Sequence, residues 1–436
     1  MMETINIALL GLGTVGTGVV KVLDSHGAEM QERAGCRLVL RHVADADLTR
    51  PREGLDLRRL PLVADANRVL DDPAVHIVIE LVGGLEPART FILKALASGK
   101  HVVTANKALL AHHGAEIFAE ARRNRVMVGF EAAVAGGIPL LRAVKEGLPA
   151  NHILSAFGIV NGTCNYILSK MRDEGRDFAE VLKEAQAMGY AEADPTLDIE
   201  GLDSAHKLQI LASLAFRTAV DLEDIYTEGI TGVSGEDVVN ATELGFVIKL
   251  LAIAKASDGA LEARVHPTMI PASSPMAAVS GVFNAVFITG DNVGNLMFYG
   301  RGAGQLPTAS AVWSDTLDIA RRVAHGVPAL HGELPSVSGR PLPLRPMDDI
   351  RSAYYLRVMA LDRPGVLAQV AGILGGHDIS LLSVLQKGRA HGEAAVPVVM
   401  MTHEAREHDM RAALREIDQL PVVASRTTMI RVEAQA

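Results

Sequence analysis

The sequence of 436 residues predicts an α/β protein of several domains. Strand and helix patterns alternate over residues 1–135, as in a doubly wound parallel sheet. Residues 136–334 have a mixed α+β texture. Residues 335–352 contain prolines at positions 335, 341, 343 and 346 and predict a stiff linker. Residues 353–432 follow the order β-α-β-β-α-β, which predicts a small ferredoxin-like domain.

The composition argues against several classes of protein. The formal net charge is −9 and the isoelectric point is about 5.9, whereas nucleic acid and anionic membranes require a basic surface. No apolar run reaches the roughly eighteen uncharged residues of a membrane span. The N-terminus lacks the basic start of a signal peptide, and Cys36 and Cys164 cannot make a disulfide framework. We therefore expect a cytosolic, reduced protein.

A glycine-rich turn follows the first predicted strand, Ile5 to Leu10, and opens a helix that runs to about Arg33. This is the context that the dinucleotide-binding pattern G-x-G-x-x-G requires. The turn consists of Gly11, Leu12, Gly13, Thr14, Val15 and Gly16. Its first glycine permits the tight turn, its second lets the backbone approach a pyrophosphate, and its third lets helix and strand pack closely. The sequence therefore predicts a Rossmann-type domain that binds a dinucleotide at a helix N-terminus.

The end of the second predicted strand, Leu38 to Ala44, bears on the choice between NAD and NADP. Asp45 follows this strand, and an acid there typically binds the ribose 2′-hydroxyl of NAD. Arg50 and Arg52 lie close by and could instead bind the 2′-phosphate of NADP. A solvated loop of mixed charge is an equally good interpretation, so the preference stays open at this point.

Other polar residues also follow predicted strands. In a parallel sheet, ligands bind beyond the carboxyl ends of the strands. Thr104 and Lys107 follow one strand and Glu131 follows another, so we expect Lys107 to point toward the ligand crevice. The loop from Glu131 to Pro139 is rich in glycine. A plain turn is the simpler interpretation, and backbone carbonyls that hold a cation beside Glu131 are the alternative.

The second domain contains an unusual acidic stretch, Gly189 to Leu211. Its charged residues are Glu192, Asp194, Asp198, Glu200, Asp203 and Lys207. Pro195 prevents a helix from running through Asp194, and a new helix is expected to start near Gly201. Asp203 and Lys207 are four residues apart and therefore share one helix face. Such a group suits a small zwitterionic substrate with one reacting hydroxyl.

The other elements of the second domain frame this stretch. A strand over Phe157–Val160 leads into an Asn161-Gly162 turn, and Phe178 to Met188 is an amphipathic helix. Val279 to Thr289 alternates like a strand. Trp313 lies in a further predicted helix, where we expect it to pack. The C-terminal domain has no obvious nucleophile, base or metal cluster, so we expect it to bind or regulate.

Several long motifs carry a family resemblance. GLGTVGTGVV at residue 11, TANKALL at 104, EAAVAGGIPL at 131, GIVNGTCNYIL at 158 and GYAEADPTLDIEGLDSAHKLQIL at 189 resemble homoserine dehydrogenase over residues 5–320. The segment LDRPGVLAQVAGILGGHDISL at 361 resembles an ACT domain, an amino-acid-sensing module. The resemblance implies the interconversion of L-homoserine and L-aspartate 4-semialdehyde with NAD(P), a step in threonine, methionine and isoleucine biosynthesis.

The resemblance also implies roles for individual residues. Lys207 matches the proton donor and acceptor of the family, and Lys107 matches a lysine between nicotinamide and substrate. Glu192, Asp198 and Asp203 match substrate-binding acids. Gly189 and Gly304 match positions that approach the cofactor, as do Thr104 and the glycine turn. Glu131 and the backbone of Val134, Gly136 and Ile138 match a sodium site.

One difference between this sequence and the family pattern concerns the choice of cofactor. Many family members have an arginine just after the second strand, which suits NADP, whereas this chain has Asp45-Ala46-Asp47. This difference favours NAD or the use of both cofactors.

The required chemistry agrees with these assignments. Oxidation of an alcohol needs a hydride acceptor, which is the cofactor, and a base for the hydroxyl proton, for which Lys207 is the candidate. The substrate ammonium group would bind Glu192 and Asp198, which we expect to be buried. The alternatives are another amino-acid dehydrogenase, or a catalytically silent sensor that would need a lesion at Lys107, Glu192, Asp203 or Lys207. All four residues are present.

The ACT-like domain has two interpretations of equal weight. It binds threonine near Asp362–Gly365 and His377–Ile379 as a feedback effector, or it only helps subunits to associate. Sheet edges in the second and third domains predict a homodimer or homotetramer.

Overall fold

The computed structural model describes residues 2–327, 341–387 and 394–434. These residues form two compact units, each assembled from separate segments of the chain. The first unit comprises Met1–Ile153, His206–Leu222 and Asn284–Pro341, and the second comprises Leu154–Ala205, Glu223–Phe283 and Leu342–Ala436. The predicted domains, in contrast, are continuous segments, and their boundaries stay predictions. Residues 335–340 of the predicted linker lie outside the described residues.

The strands, numbered in chain order, are β1 (Thr4–Leu10), β2 (Arg37–Ala44), β3 (Leu62–Val63), β4 (Ile77–Glu80), β5 (His101–Thr104), β6 (Val128–Gly129), β7 (Ile153–Ile159), β8 (Tyr226–Thr227), β9 (Phe246–Ser257), β10 (Ala260–Pro271), β11 (Phe283–Gly290), β12 (Gly294–Arg301), β13 (Arg351–Leu361), β14 (Leu381–Gln386), β15 (Ala395–Thr402), β16 (Ala405–Arg406) and β17 (Thr428–Val432). The α-helices are α1 (Thr14–Ala34), α2 (Ala66–Leu70), α3 (Ala88–Ala97), α4 (Lys107–Asn124), α5 (Leu140–Arg142), α6 (Gly162–Glu174), α7 (Phe178–Ala187), α8 (Thr196–Ile199), α9 (Leu202–Phe216), α10 (Gly235–Glu243), α11 (Gln305–Ala324), α12 (Val366–Gly376) and α13 (Glu407–Ile417).

The first unit contains a six-stranded parallel sheet in the order β3-β2-β1-β4-β5-β6. The order reverses beside β1, which pairs with β2 on one side and with β4 on the other. Strand β1 is apolar and buried on both faces, as a central parallel strand must be. The predicted doubly wound domain is confirmed, and the glycine turn after β1 lies at the switch point, where such sheets bind ligands.

The core of the first unit joins this sheet to helices α1 and α11. Trp313 on α11 is 2% exposed, and its indole Nε1 donates a hydrogen bond to the Val19 carbonyl oxygen at 2.8 Å. The tryptophan is therefore a packing residue, as the sequence predicts.

In the second unit, strands β7, β9, β10, β17, β13, β15 and β14 lie side by side in that order. The last four belong to the C-terminal domain, whose order β13-α12-β14-β15-α13-β17 confirms the predicted β-α-β-β-α-β arrangement. Strand β17 pairs in parallel with β10 through Thr268 with Arg431 and Met269 with Val432. The C-terminal domain therefore continues the sheet of the substrate domain rather than standing apart from it.

The sequence interpretation missed the hairpin of β9 and β10. Asp258-Gly259 connects two long apolar runs, and both residues adopt positive φ values of 50° and 73°. Such an Asp-Gly pair is a strong hairpin signal.

The predicted strand Val279–Thr289 is shorter than expected, because β11 begins at Phe283. The Asn165 amide donates hydrogen bonds to the carbonyl oxygens of Val279, Gly281 and Phe283, which holds this segment in another conformation.

Within the described residues, no helix is both long enough and apolar enough to cross a membrane. Cys36 and Cys164 are buried, and neither forms a disulfide.

Candidate active site

The glycine turn of the first unit has the geometry that the sequence predicts. Gly11 has a φ of 94°, and a Cβ there would lie 2.5 Å from the Leu81 carbonyl oxygen. A Cβ at Gly16 would lie 2.1 Å from the Gly11 oxygen, so helix α1 could not pack as it does. At Gly13, in contrast, a Cβ would meet no atom of the described chain within 4 Å. The turn therefore offers an open approach to a pyrophosphate, and these residues fit a dinucleotide.

Asp45 and Arg52 both lie against this turn. Asp45 accepts a hydrogen bond from the Leu12 amide at 2.6 Å, and Arg52 donates through Nε to the Leu12 carbonyl at 2.6 Å. Arg52 Nη2 lies 3.4 Å from Asp45 Oδ1, and both side chains are largely buried. Asp45, which favours NAD, and Arg52, which favours NADP, are thus paired with each other. Arg50 is exposed.

The strand ends beside the turn are held by a buried glutamate that the sequence interpretation did not single out. Glu80 at the end of β4 is fully buried. Its carboxylate accepts hydrogen bonds from the Thr104 hydroxyl at 2.7 Å and from the Val82 amide at 2.8 Å. The contact with the Val82 amide ends the strand. Burial raises the pKa of Glu80. Thr104 in turn accepts from the Asn106 amide, and the Asn106 side chain caps helix α4, whose first residue is Lys107. This network fixes the backbone that carries Lys107.

Glu131 is buried at the start of the glycine-rich loop. Its two carboxylate oxygens accept hydrogen bonds from the amides of Leu141 and Arg142 at 2.9 and 2.7 Å. Its own amide donates to Asp315 Oδ2 at 2.8 Å. Burial and then the charge of Asp315 raise the pKa of Glu131 to about 7.

The backbone of this loop therefore supplies the remaining candidate cation ligands. Ala135 and Gly136 have positive φ values of 57° and 49°, which make a tight loop. The Ile138 carbonyl already accepts a hydrogen bond from the Leu140 amide at 2.7 Å. Within the described residues, no group of three or more His, Cys, Asp or Glu side chains could hold a metal ion. Any cation here would thus need backbone carbonyl ligands in addition to side chains.

The second unit brings two of the predicted acids together around Asn161. The Asn161 side-chain nitrogen donates hydrogen bonds to Asp198 Oδ1 at 2.7 Å and to Asp203 Oδ2 at 2.9 Å. Asp203 lies in the first turn of helix α9 and is 8% exposed. A negative charge is favoured in this position, because the N-terminus of a helix carries a partial positive charge.

Lys207 lies one turn further along α9 and is half-buried. Since residues four apart share a helix face, Lys207 follows Asp203 on the same side of the helix, as predicted.

Glu192 does not have the predicted environment. We expected it to be buried, but it is exposed, because it lies in the loop between α7 and α8. Gly189 ends α7 with a φ of 73°, and Gly304 precedes α11 with a φ of 126°. Both glycines thus adopt backbone conformations that other residues rarely reach.

Three functional candidates escaped the sequence interpretation: Glu80, Asn161 and Asp315. Glu80 had a usable signal, since it is an acid at the end of a buried strand. Asn161 was predicted only as part of a turn, and the acids that contact Asn161 and the loop that contacts Asp315 are distant in sequence, so no local pattern marks these contacts.

A six-stranded parallel sheet with an open glycine turn at its switch point is the architecture of a dinucleotide-binding domain. The acids and the lysine at the start of α9 suit a small polar substrate that exchanges a proton as well as a hydride. Fold and site together therefore define a dehydrogenase that uses a nicotinamide dinucleotide.

Comparison with known proteins gives the family. The model of the homoserine dehydrogenase NAD-binding domain matches residues 11–131, that of homoserine dehydrogenase matches residues 139–317, and that of the ACT domain matches residues 354–422. The chain is 46% identical to the homoserine dehydrogenase of Pseudomonas aeruginosa, with 99% of each chain covered. It belongs to the homoserine dehydrogenase family.

Solved structures agree. The crystal structure of a homoserine dehydrogenase from Thiobacillus denitrificans matches with a TM-score of 0.93 and 47% identity over 100% of both chains. A hyperthermophilic archaeal homoserine dehydrogenase in complex with NADPH matches with a TM-score of 0.62 and 26% identity, over 75% of this chain and 100% of its own. The predicted family, enzyme class and C-terminal ACT domain are confirmed.

Proposed function

We propose that this homoserine dehydrogenase oxidises L-homoserine with Lys207 as the base that takes the hydroxyl proton. The observation that supports the proposal most is the pair of acids held by Asn161 at the start of the helix that carries Lys207. Bound NAD(P) supplies the hydride acceptor. Asp198, Asp203 and Glu192 bind the polar groups of the substrate, with a carboxylate facing its ammonium group. In the reverse direction, Lys207 returns the proton to the developing alkoxide.

Replacement of Lys207 tests the base. Lys207→Ala should abolish homoserine-dependent reduction of NAD and NADP while the affinity for the cofactor stays near that of the parent, measured by NADPH fluorescence. The matched control is Lys183→Ala on helix α7, where the lysine is exposed. Normal turnover in Lys207→Ala would refute the role, and a loss of activity in both variants would point to a general defect in folding.

We propose that both NAD and NADP are used, because Asp45 and Arg52 lie together at the turn. Arg52 neutralises Asp45, so Arg52→Ala should leave an acid that repels a 2′-phosphate. The ratio of kcat/KM for NADP to kcat/KM for NAD should then fall roughly tenfold, or about 1.4 kcal/mol. An unchanged ratio would show that Arg52 does not select the cofactor.

We also propose that the carbonyls of Val134, Gly136 and Ile138, with the backbone of Glu131, bind sodium. The tight loop at Ala135 and Gly136 supports the proposal. Activity should rise when sodium chloride replaces tetramethylammonium chloride at constant ionic strength. Equal activity in the two salts would contradict it.

The ACT domain has a cavity suited to a small effector. The cavity has a volume of about 80 Å³ and lies between β13, α12 and β15, with Asp362, Arg363 and Gly365 among its lining residues. His377 instead contacts Glu416 at 2.7 Å. We propose that an amino acid, with threonine as the first candidate, binds at Asp362–Gly365. Calorimetric titration with threonine should give heat that is lost in Asp362→Ala. No heat with the parent chain would favour a role in subunit association alone.

The exposed edge strand β14 supports an association of subunits. Strand β14 ends the row of strands in the second unit, and its Leu382, Val384 and Leu385 are 60%, 39% and 40% exposed. An apolar edge strand is a template for pairing with another chain. We propose that β14 pairs in a homodimer or homotetramer, and that Val384→Lys lowers the mass measured by light scattering. An unchanged mass would place the interface elsewhere.

A further inference from the structure

Asn161 precedes helix α6 and is buried between two of the acids assigned above to the substrate. It is 5% exposed. Its amide nitrogen donates to Asp198 Oδ1 at 2.7 Å and to Asp203 Oδ2 at 2.9 Å. The Cys164 thiol is also close, and its Sγ lies 3.1 Å from the Asp198 carbonyl oxygen.

The start of helix α6 fixes which way this amide faces. Asn161 is the N-cap, and its Oδ1 accepts a hydrogen bond from the Cys164 amide at 2.8 Å. Rotation of the amide by half a turn would present an oxygen to two carboxylates and an NH₂ group to an N–H donor. The helix cap therefore forces both hydrogens of Nδ2 toward the acids, one for each carboxylate.

The arrangement matters because the two carboxylates are neighbours. Two acids that share one nitrogen partner are close enough for each to favour protonation of the other, whereas N–H donors favour the ionised form. We propose that Asn161 is a positioning residue that keeps Asp198 and Asp203 both ionised and aimed, so that they receive the ammonium group of the amino-acid substrate. The inference rests on the substrate-binding roles proposed for these acids.

The variant Asn161→Asp tests the proposed role toward the two acids while it keeps the helix cap. Asp is as good an N-cap as Asn, so α6 should still begin at the same residue. The change replaces the shared donor by a third carboxylate, which raises the pKa of its neighbours. The acidic limb of the profile of kcat/KM for homoserine against pH should move up by about one pH unit. KM at neutral pH should rise more than kcat falls.

Asn124→Asp is the matched control. Asn124 ends helix α4, and its Nδ2 donates to Glu120 Oε1 at 2.7 Å, so the same substitution is made beside an acid outside the site. Its pH profile should match that of the parent. A folded Asn161→Asp variant with the parent pH profile would overturn the proposal.

A second variant tests the proposal if Asn161→Asp does not fold. If Asn161→Asp loses its circular dichroism signal, Asn161→Ser tests the same point, because serine caps helices but offers one donor in place of two and adds no charge. Homoserine KM should rise several-fold in this variant, and a parent-like KM would overturn the proposal.

The roles of the acids themselves are tested by Asp198→Asn and Asp203→Asn. A parent-like homoserine KM in both would refute the underlying assignment. Impaired binding in both, combined with a normal Asn161→Asp, would overturn only the role of Asn161.

Discussion

Asp315 is the residue that holds the Glu131 loop in place. It lies on α11, its carboxylate accepts the Glu131 amide at 2.8 Å, and Arg142 Nη2 lies 3.4 Å from its other oxygen. A Cβ at Gly129 would lie 2.6 Å from the Asp315 Cβ, which explains the glycine in β6. Burial raises the pKa of Asp315 to about 6. Two buried carboxyl groups with raised pKa values thus hold the loop that carries the proposed cation ligands.

This pair makes stability depend on pH. The pKa of Asp315 rises from 3.8 to about 6 on folding, and that of Glu131 from 4.5 to about 7. Both groups therefore hold protons in the folded chain at pH values where the unfolded chain has lost them. Their favourable contribution is complete below about pH 4 and is lost as the pH rises to about 7.

Asp315→Asn should weaken this dependence. The amide oxygen can still accept the Glu131 N–H, but the buried charge is gone. From pH 5 to pH 8, the unfolding free energy of the variant should decline less than that of the parent, by on the order of 1 to 2 kcal/mol. Denaturant titrations at the two pH values measure this decline. An equal decline of the unfolding free energy in the two proteins would contradict the raised pKa values.

Asn165 is a second buried residue with several partners. Besides the three carbonyls of the segment before β11, its Oδ1 accepts a hydrogen bond from Lys249 Nζ at 3.0 Å. Lys249 is 1% exposed, and burial lowers its pKa to about 7.

Asn165→Ala should destabilise the protein by about 3 kcal/mol, because it leaves buried carbonyls and an amine short of partners. Chemical denaturation measures the loss. Asn124→Ala, at a half-buried helix end, is the control and should have a much smaller effect. Similar losses in both variants would show that the Asn165 contacts carry little energy.

At the scale of elements, buried ion pairs attach the ACT strands to the substrate domain. Arg357 on β13 donates to both carboxylate oxygens of Asp237 on α10, at 2.7 and 3.0 Å, and Asp237 is fully buried. Burial alone would raise the pKa of Asp237, but Arg357 and Ser234 hold it below its usual value. Arg431 on β17 pairs with the buried Glu407 of its own domain and also reaches Glu228 of the substrate domain at 2.9 Å.

Arg357→Met should therefore cost about 3 kcal/mol of stability, because it leaves Asp237 buried without its charged partner. Thermal and chemical denaturation both report this. Arg33→Met removes an arginine from the exposed pair with Glu29 and should change stability little. Equal stability of Arg357→Met and the parent would mean that water or a rearranged side chain replaces the arginine.

At the scale of the whole molecule, the ACT domain is part of the second unit. Residues 343–345 run beside β10, where Leu344 bridges to Leu261 and Arg345 lies 3.2 Å from Glu262. Arg264 on β10 is fully buried beside Glu262 and Glu433. The substrate domain thus has buried charges whose partners come from the C-terminal segment.

Deletion of residues 342–436 should leave the shortened chain unable to fold stably, since β10 would lose β17, and Asp237 and Arg264 would lose partners. Size-exclusion chromatography and circular dichroism would detect aggregation and loss of a cooperative transition. A monodisperse shortened enzyme with the parent homoserine KM would show that the ACT domain is separable.

The sequence predicted those features that depend on neighbouring residues or on a regular spacing. Gly11, Gly13 and Gly16 are recognisable because strand, turn and helix follow one another directly. The register of Asp203 and Lys207 followed from helix periodicity. Asn161 meets Asp203 over 42 residues and Glu131 meets Asp315 over 184 residues, and such pairs depend on how the chain returns to itself. The burial of Glu192 was mispredicted because residue type does not reveal which side of a loop faces solvent.

The parallel pair of β10 and β17 has a consequence for synthesis on the ribosome. Strand β10 ends at residue 271, and β17 begins at residue 428. At about 5 to 20 residues per second, translation leaves the part of β10 that pairs with β17 without this neighbour for roughly eight to thirty seconds. An open strand edge invites pairing with other chains. During this time the nascent enzyme therefore exposes a strand edge with which other chains can pair.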